Sequence, residues 1–403
     1  MPSASNDMGK TEMKQVYLDN SATTALCESA KAKMREAMDC YGNPSSIHVM
    51  GLAAHDLVEE ARAAVARTLG VRVGASAGQL IFTSCGSEAD NLAIFGTAYA
   101  KPRRKGGRVI TTDSEHPGVE NAMKALERDG FEVVRISTKG GVLDFEQYQK
   151  ALTPRTFLVS MMMVNNETGA VYDVKRAFAM AKALDVAIVT HTDAVQGYLK
   201  CRFTPQSIGA DMVTVSAHKI HGPKGVGALY VSPESLKRRD LSPTLFGGGQ
   251  ESGWRSGTEN VLGIVGFGAA AAEQFAGLNA SLKTMLDLRN YAQERLSDLP
   301  VSITEPNGTR APHILSIVLP DIKSETMLSG LSRRGICVSS GSACSSHSKD
   351  LSPTLTAFGL TPAQIDSTIR VSFSAYNTKE DVDALVEALA EEIACRVRIH
   401  HSK

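Results

Sequence analysis

The chain has 403 residues, with 43 Lys and Arg against 43 Asp and Glu and a formal net charge of zero. That balance argues against nucleic-acid binding through a broad basic surface, which needs an excess of cationic side chains. Two or three domains of roughly 150 residues fit this length and can bury a core without disulfide or metal staples, and a composition with 43% hydrophobic and 21% charged residues is globular, neither disordered nor fibrous.

In chain order, residues 1–14 lack the apolar segment of a secretory signal and read as a tail. Short β-branched runs then alternate with amphipathic segments, the pattern of a mostly parallel sheet covered by helices. The predicted strands are 79–84 (QLIFTS), 108–112 (RVITT), 132–137 (EVVRIS), 156–164 (TFLVSMMMV), 186–193 (VAIVTHTD), 211–217 (DMVTVSA) and 227–232 (GALYVS). Helical periodicity occupies 88–100, 117–129, 144–151 and 173–184 between them. After the glycine-rich stretch 247–253 the pattern predicts one long helix over 260–297, strands at 312–319 and 369–373, and a last helix over 379–394. The expected organisation is an α/β domain over 15–274 and a smaller α+β domain over 275–403.

The longest apolar stretch, 261–272, is shorter than the roughly 20 residues a membrane helix requires, so no membrane association and a cytoplasmic location are expected. The seven cysteines, at 27, 40, 85, 201, 337, 344 and 395, form neither a C-x-x-C pair nor a ligand cluster. No metal site and no disulfide framework are predicted.

Five segments carry candidate chemistry. The turn CGSEAD after the 79–84 strand opens a helix, where free backbone N–H groups and the helix dipole suit a phosphate near Gly86 and Ser87. The same residues also fit an ordinary capped helix start. Asp193 ends the apolar strand VAIVTHTD, at the sheet edge where ligands of open α/β folds bind, a position that a solvated strand-end Asp shares. Lys219 follows the buried strand DMVTVSA, and partial desolvation there would free its amine as a nucleophile toward a carbonyl, with Ser216 and His218 placed to grip a phosphate. The loop GGGQESGWRSGTEN, with Arg255 and Thr258, permits close approach to a ligand or a second subunit, and equally fits a hinge. Cys344, in the Ser- and Gly-rich run ICVSSGSACSSHS, sits where a movable thiol could reach both a closed site and an external acceptor.

Taken together, YLDNSATT (17–24), GNPSSIH (42–48), SEHPGVEN (114–121), VNNETGAV (164–171), the S-x-H-K of Ser216 to Lys219, RSGTEN (255–260) and SSGSAC (339–344) resemble the cysteine desulfurases of the class V aminotransferase family. The match runs in order from about residue 16 to the RVSFS strand near 372. It implies a fold type I pyridoxal-phosphate-dependent transferase, with a mostly parallel seven-stranded sheet in the large domain and a smaller α+β C-terminal domain.

The resemblance also implies roles. Lys219 would bind the pyridoxal phosphate aldehyde covalently, Asp193 would pair with the ring nitrogen, and Gln196 would hydrogen-bond the ring hydroxyl. His116 would stack on the ring and act as acid and base. Gly86, Ser87, Ser216 and His218 would hold the phosphate, with Thr258 reaching in from the partner of a homodimer. Asn166 and Arg370 would hold the carboxylate of L-cysteine. Cys344 would take the sulfur as a persulfide, leaving alanine, and pass it to an acceptor protein, with iron-sulfur cluster assembly the leading destination.

Two departures from the family pattern stand out: Thr192 replaces an expected apolar residue, and Ser374-Ala375 occupies the place of a Leu-Gly pair. The competing readings are a selenocysteine lyase or an ordinary aminotransferase of the same family, the latter with no use for Cys344, and a non-catalytic scaffold that keeps the fold and binds partners through the loop carrying Cys344. His221, His400 and His401 are expected to be surface or packing residues.

Overall fold

The computed structural model describes residues 15–74, 77–341 and 351–401. The expected tail (1–14) and Cys344 lie outside these residues. Thirteen strands occur among them: β1 (Val16–Tyr17), β2 (Gln79–Thr83), β3 (Arg108–Thr112), β4 (Glu132–Ile136), β5 (Thr156–Ser160), β6 (Val189–Asp193), β7 (Met212–Ser216), β8 (Gly227–Val231), β9 (Ser302–Ile303), β10 (Ile314–Val318), β11 (Ile336–Cys337), β12 (Ser339–Ser340) and β13 (Thr368–Ser372).

Each of the seven strands expected before residue 240 is present, and all join one sheet in the order β2-β8-β7-β6-β5-β3-β4. Every pairing is parallel except those of β8, which runs antiparallel to both β2 and β7. Helices cover both faces, so strands β5 to β8 are buried along their whole length. Burial on both sides explains why these strands read as apolar runs rather than as alternating ones. The carboxyl ends of β6 and β7 bring Asp193 and Ser216 to the same edge of the sheet, with Asp193 in register with Thr214.

A second sheet, β12-β13-β10-β9, is antiparallel, and β1 pairs separately with β11. Val16 and Leu18 pack with Leu315, Ile369 and Leu389, so the start of the described chain lies in the core built by its C-terminal third. The single helix expected over 260–297 is instead two, Val261–Ala276 and Leu278–Leu296, bent by 75°. Gly277 lies between them and is a poor helix former. The apolar periodicity continues across it because the first helix packs on the large core and the second on the smaller one. Among the described residues no single helix is long and apolar enough to cross a membrane.

A candidate active site at the carboxyl edge of the large sheet

The chain leaves β7 through a tight turn, Ala217–Lys219. A Cβ at Gly222 would lie 2.9 Å from the Ala217 carbonyl oxygen, which makes glycine necessary for the close return of the chain. Thr24 fastens this turn: its N–H and Oγ1 both donate to the His218 carbonyl, at 2.9 and 3.0 Å, and Oγ1 accepts from the His221 N–H at 2.7 Å. The turn points Lys219 Nζ at the carbonyls of Ser21 and Ala22, to which it donates at 2.6 and 2.8 Å.

Lys219 opens onto a cavity of about 320 Å³. Ten of the predicted residues line it: Gly86, Ser87, His116, Asn166, Asp193, Gln196, Ser216, His218, Lys219 and Arg370. Asp193 is buried and accepts from the Val195 N–H at 2.9 Å. Burial raises its carboxyl above the usual range, against the pull of His116, the Val195 N–H and Lys219. Gln196 donates from Nε2 to the Ser21 carbonyl at 2.9 Å, and its Oε1 lies 3.3 Å from His313 Nε2.

His116 caps the Pro117–Arg128 helix, and its Nδ1 accepts from the Gly118 N–H at 3.1 Å. In the neutral ring that bond leaves the proton on Nε2. Burial favours this neutral form by lowering the pKa, and Lys219 adds to the effect against the opposing pull of Asp193. Arg370, buried on β13, donates from Nη1 to the Asn166 carbonyl at 2.9 Å and from Nη2 to Asp19 Oδ1 at 3.0 Å.

These residues fit an anionic aromatic aldehyde. Ser216 Oγ is buried with no hydrogen-bond partner among the described residues. It faces the start of the Gly86–Tyr99 helix, where the N-cap Cys85 supplies no side-chain bond. A Cβ at Gly86 would come within 2.9 Å of Val195 Cγ2 and 3.7 Å of Ser216 Cβ. An uncapped helix start, a bare glycine and an unused hydroxyl form a donor set for a phosphate. His218 joins it as a neutral ring, since burial and the nearby Lys219 bring its pKa down to about 4, and it can assist an anion only through a hydrogen bond.

Of the other two predicted residues only Thr258 is described, and it is not in this cavity. Thr258 lines a separate one with Gly225, Glu251 and Arg255, and Cys344 lies outside the described residues. Among the departures, Thr192 is buried on β6, its Oγ1 has no partner among the described residues, and strand alternation turns it away from the face carrying Asp193. His221 is a buried packing residue, with Nδ1 2.9 Å from the Ala25 carbonyl and its ring edge-on to Tyr376. Sequence reasoning missed Ser21, Ala22, Cys85 and Asp90 as lining residues. The first two lie within a quoted motif, and Asp90 follows Gly86 by one helical turn, a spacing that could have flagged it. No cluster able to hold a metal ion occurs among the described residues.

The large sheet, the lysine past β7, the carboxylate at the end of β6 and the phosphate cradle are those of a fold type I pyridoxal-phosphate enzyme. The chain belongs to the class-V aminotransferase family, whose profile matches residues 16–385. Its relatives include the cysteine desulfurase of Trichormus azollae, 40% identical over 94% of this chain and 93% of the relative. Another is the cysteine desulfurase IscS of Methanosarcina thermophila, 37% identical over 94% and 92%. Among solved structures, a NifS-like protein superposes with a TM-score of 0.86 at 36% identity, over 94% of this chain and 100% of that one. SspA in complex with cysteine superposes at 0.76 and 31% identity, over 91% and 100%.

Proposed function

We propose that this protein is a cysteine desulfurase that removes the sulfur of L-cysteine, releases L-alanine and carries the sulfur as a persulfide on Cys344. The observation that carries this reading is the convergence of Lys219, Asp193, His116, Asn166 and Arg370 on one cavity that also holds an unused phosphate donor set. The desulfurase relatives at 37 and 40% identity support cysteine as the substrate.

Pyridoxal phosphate, when bound, supplies an aldehyde that captures amines and a ring that withdraws electrons from the captured amino acid. Lys219 would hold the aldehyde covalently and, once displaced by substrate, offer its free amine as the base nearest the substrate carbon. Asp193, with its charge held by the Val195 N–H, would keep the ring nitrogen protonated. Gln196 would contact the ring hydroxyl, and Gly86, Ser87, Ser216 and His218 the phosphate. Arg370 and Asn166 would fix the substrate carboxylate, a task for which a planar guanidinium provides two parallel donors.

His116 would stack on the ring and act as acid and base. Its Nε2 proton makes donation the first step open to it, and taking the substrate thiol proton requires that Nε2 first be emptied. The Cys344 thiolate would attack the substrate sulfur, so that an S–S bond replaces the Cβ–S bond. The carbon skeleton then takes up a proton and leaves as alanine. We further propose a homodimer in which Thr258 completes the phosphate site of the partner subunit, a cytoplasmic enzyme, and an acceptor protein of iron-sulfur cluster assembly as the destination of the sulfur.

The test compares the purified protein with Cys344→Ala in the presence of L-cysteine and a thiol reductant. The expected result is equimolar sulfide and alanine from the native chain, and retained cofactor absorbance without sulfide from the variant. Undiminished sulfide release by Cys344→Ala would overturn the persulfide role.

A further inference from the structure

A second carboxyl stands on the wall that carries Asp193. Asp90 follows Gly86 by four residues in the Gly86–Tyr99 helix, so both face the same way. A Cβ at Gly86 would lie 2.9 Å from Val195 Cγ2 and 3.8 Å from Thr214 Cγ2, which sets that helix face against the ends of β6 and β7. On β6, His191 and Asp193 share one side by strand alternation, and Thr214 is the register partner of Asp193 on β7. Asp90 meets this group from above: it is 1% exposed and lines the cavity.

Among the described residues no cation is available to Asp90 where it sits. His191 Nε2 is 3.7 Å from Asp90 Oδ1, beyond a hydrogen bond, and that oxygen has no partner among the described residues. The His191 ring is spoken for, with Nε2 3.0 Å from Thr214 Oγ1 and Nδ1 2.8 Å from Ser160 Oγ. Burial brings His191 down to about 3, so it is a neutral ring and not a counter-ion.

The other titratable groups facing Asp90 are Asp193 from β6, Glu115 at the start of the neighbouring helix and Cys85 at the start of its own. Burial and the repulsion of Asp193 raise Asp90 well above the usual carboxylate range, against the opposing pull of a hydrogen bond with the Thr214 side chain. Two carboxyls in one dry site do not both ionise. Asp193 has the Val195 N–H, His116 and Lys219 to hold its charge, whereas among the described residues Asp90 has the Thr214 hydroxyl, which can equally accept from a protonated carboxyl, no donor on Oδ1 and no nearby cation.

We propose that Asp90 is a positioning residue that holds a proton as a neutral carboxylic acid beside Asp193, so that the wall meeting the cofactor's ring nitrogen carries a single negative charge, placed on Asp193. This rests on the reading of the cavity as a pyridoxal-phosphate site.

The test uses full-length holoenzyme as purified, native and Asp90→Asn, each grown with and without carboxyl-labelled aspartate. Infrared spectra at pH 7 of the native enzyme should show a protonated-carboxyl band that shifts with labelled aspartate, which separates it from Glu115. The band should be missing from Asp90→Asn. A carboxyl with a raised folded-state pKa weakens the fold only above its unfolded value of about 3.9. Asp90→Asn should therefore melt at or above the native enzyme at pH 7, with the gain vanishing near pH 4. An absent aspartate band, or a variant that melts lower at pH 7 but not at pH 4 as loss of a His191–Asp90 ion pair requires, overturns the proposal. Visible absorbance of the same samples separates the two levels: a native enzyme without cofactor overturns the site reading and this proposal with it, while cofactor present without the band overturns this proposal alone.

Discussion

Arg370 and Asp19 are 351 positions apart in sequence and form a charged hydrogen bond, Nη2 to Oδ1, of 3.0 Å on the wall of the cavity. The bond orients a buried guanidinium whose Nη1 is held by the Asn166 carbonyl and whose Nε has no partner among the described residues. An anchored guanidinium that keeps its Nε–H and a second N–H on each terminal nitrogen suits the carboxylate of an amino acid.

Arg370→Lys should therefore raise KM for L-cysteine by at least about tenfold, equivalent to about 1.4 kcal/mol, because an ammonium cannot reproduce the planar contact. Cofactor content should stay at the native level. Initial rates against cysteine concentration, with absorbance as the control, check this, and an unchanged KM would remove Arg370 from substrate binding.

Ser216 Oγ separates cofactor binding from folding. Its hydroxyl is buried and has no partner among the described residues, so Ser216→Ala should leave the stability of the cofactor-free chain unchanged or slightly higher. Affinity for pyridoxal phosphate should fall by roughly tenfold, the loss of one hydrogen bond to a charged group of about 1.5 kcal/mol. Equilibrium titration of the stripped protein, together with its melting curve, gives both numbers.

Lys200 is a buried ammonium position, 6% exposed, with no partner for Nζ among the described residues. Burial, reinforced by Lys219, brings its pKa down from 10.5 to about 7. Between those values the unfolded chain binds the proton that the folded chain does not, so stability rises with pH across this window. Below pH 7 the full penalty of the buried charge is present. Lys200→Met should stabilise the protein at pH 7 by on the order of a few kcal/mol, and the gain should shrink toward pH 10. Melting temperatures of both chains from pH 6 to pH 10 check the sign and the slope.

Most of the fold and much of the site could be read from sequence, for physical reasons that particular residues show. Strands β5 to β8 announced themselves because full burial demands continuous apolar runs, and β6 and β7 therefore delivered Asp193 and Lys219 to the right edge of the sheet. The break at Gly277 was hidden because the helices on either side of it both have faces to bury, and periodicity alone does not report a change of core. Asp90 was passed over for a related reason. A carboxyl in the first turns of a helix looks like ordinary dipole chemistry, and only the approach of that helix to the ends of β6 and β7 reveals that it is buried. The hold of Ser21 and Ala22 on Lys219 is likewise a long-range contact, with 198 and 197 positions between the partners, that no local pattern encodes.

Every role proposed for the cavity depends on capture of the cofactor aldehyde by the Lys219 amine. Borohydride reduction of the purified holoenzyme, followed by proteolysis and mass mapping, tests it directly. A pyridoxyl label on the peptide containing Lys219, abolished in Lys219→Ala, is the predicted result. A label on Lys200 or any other lysine, or none on a protein that retains the cofactor's colour, would exclude Lys219 as the capturing amine.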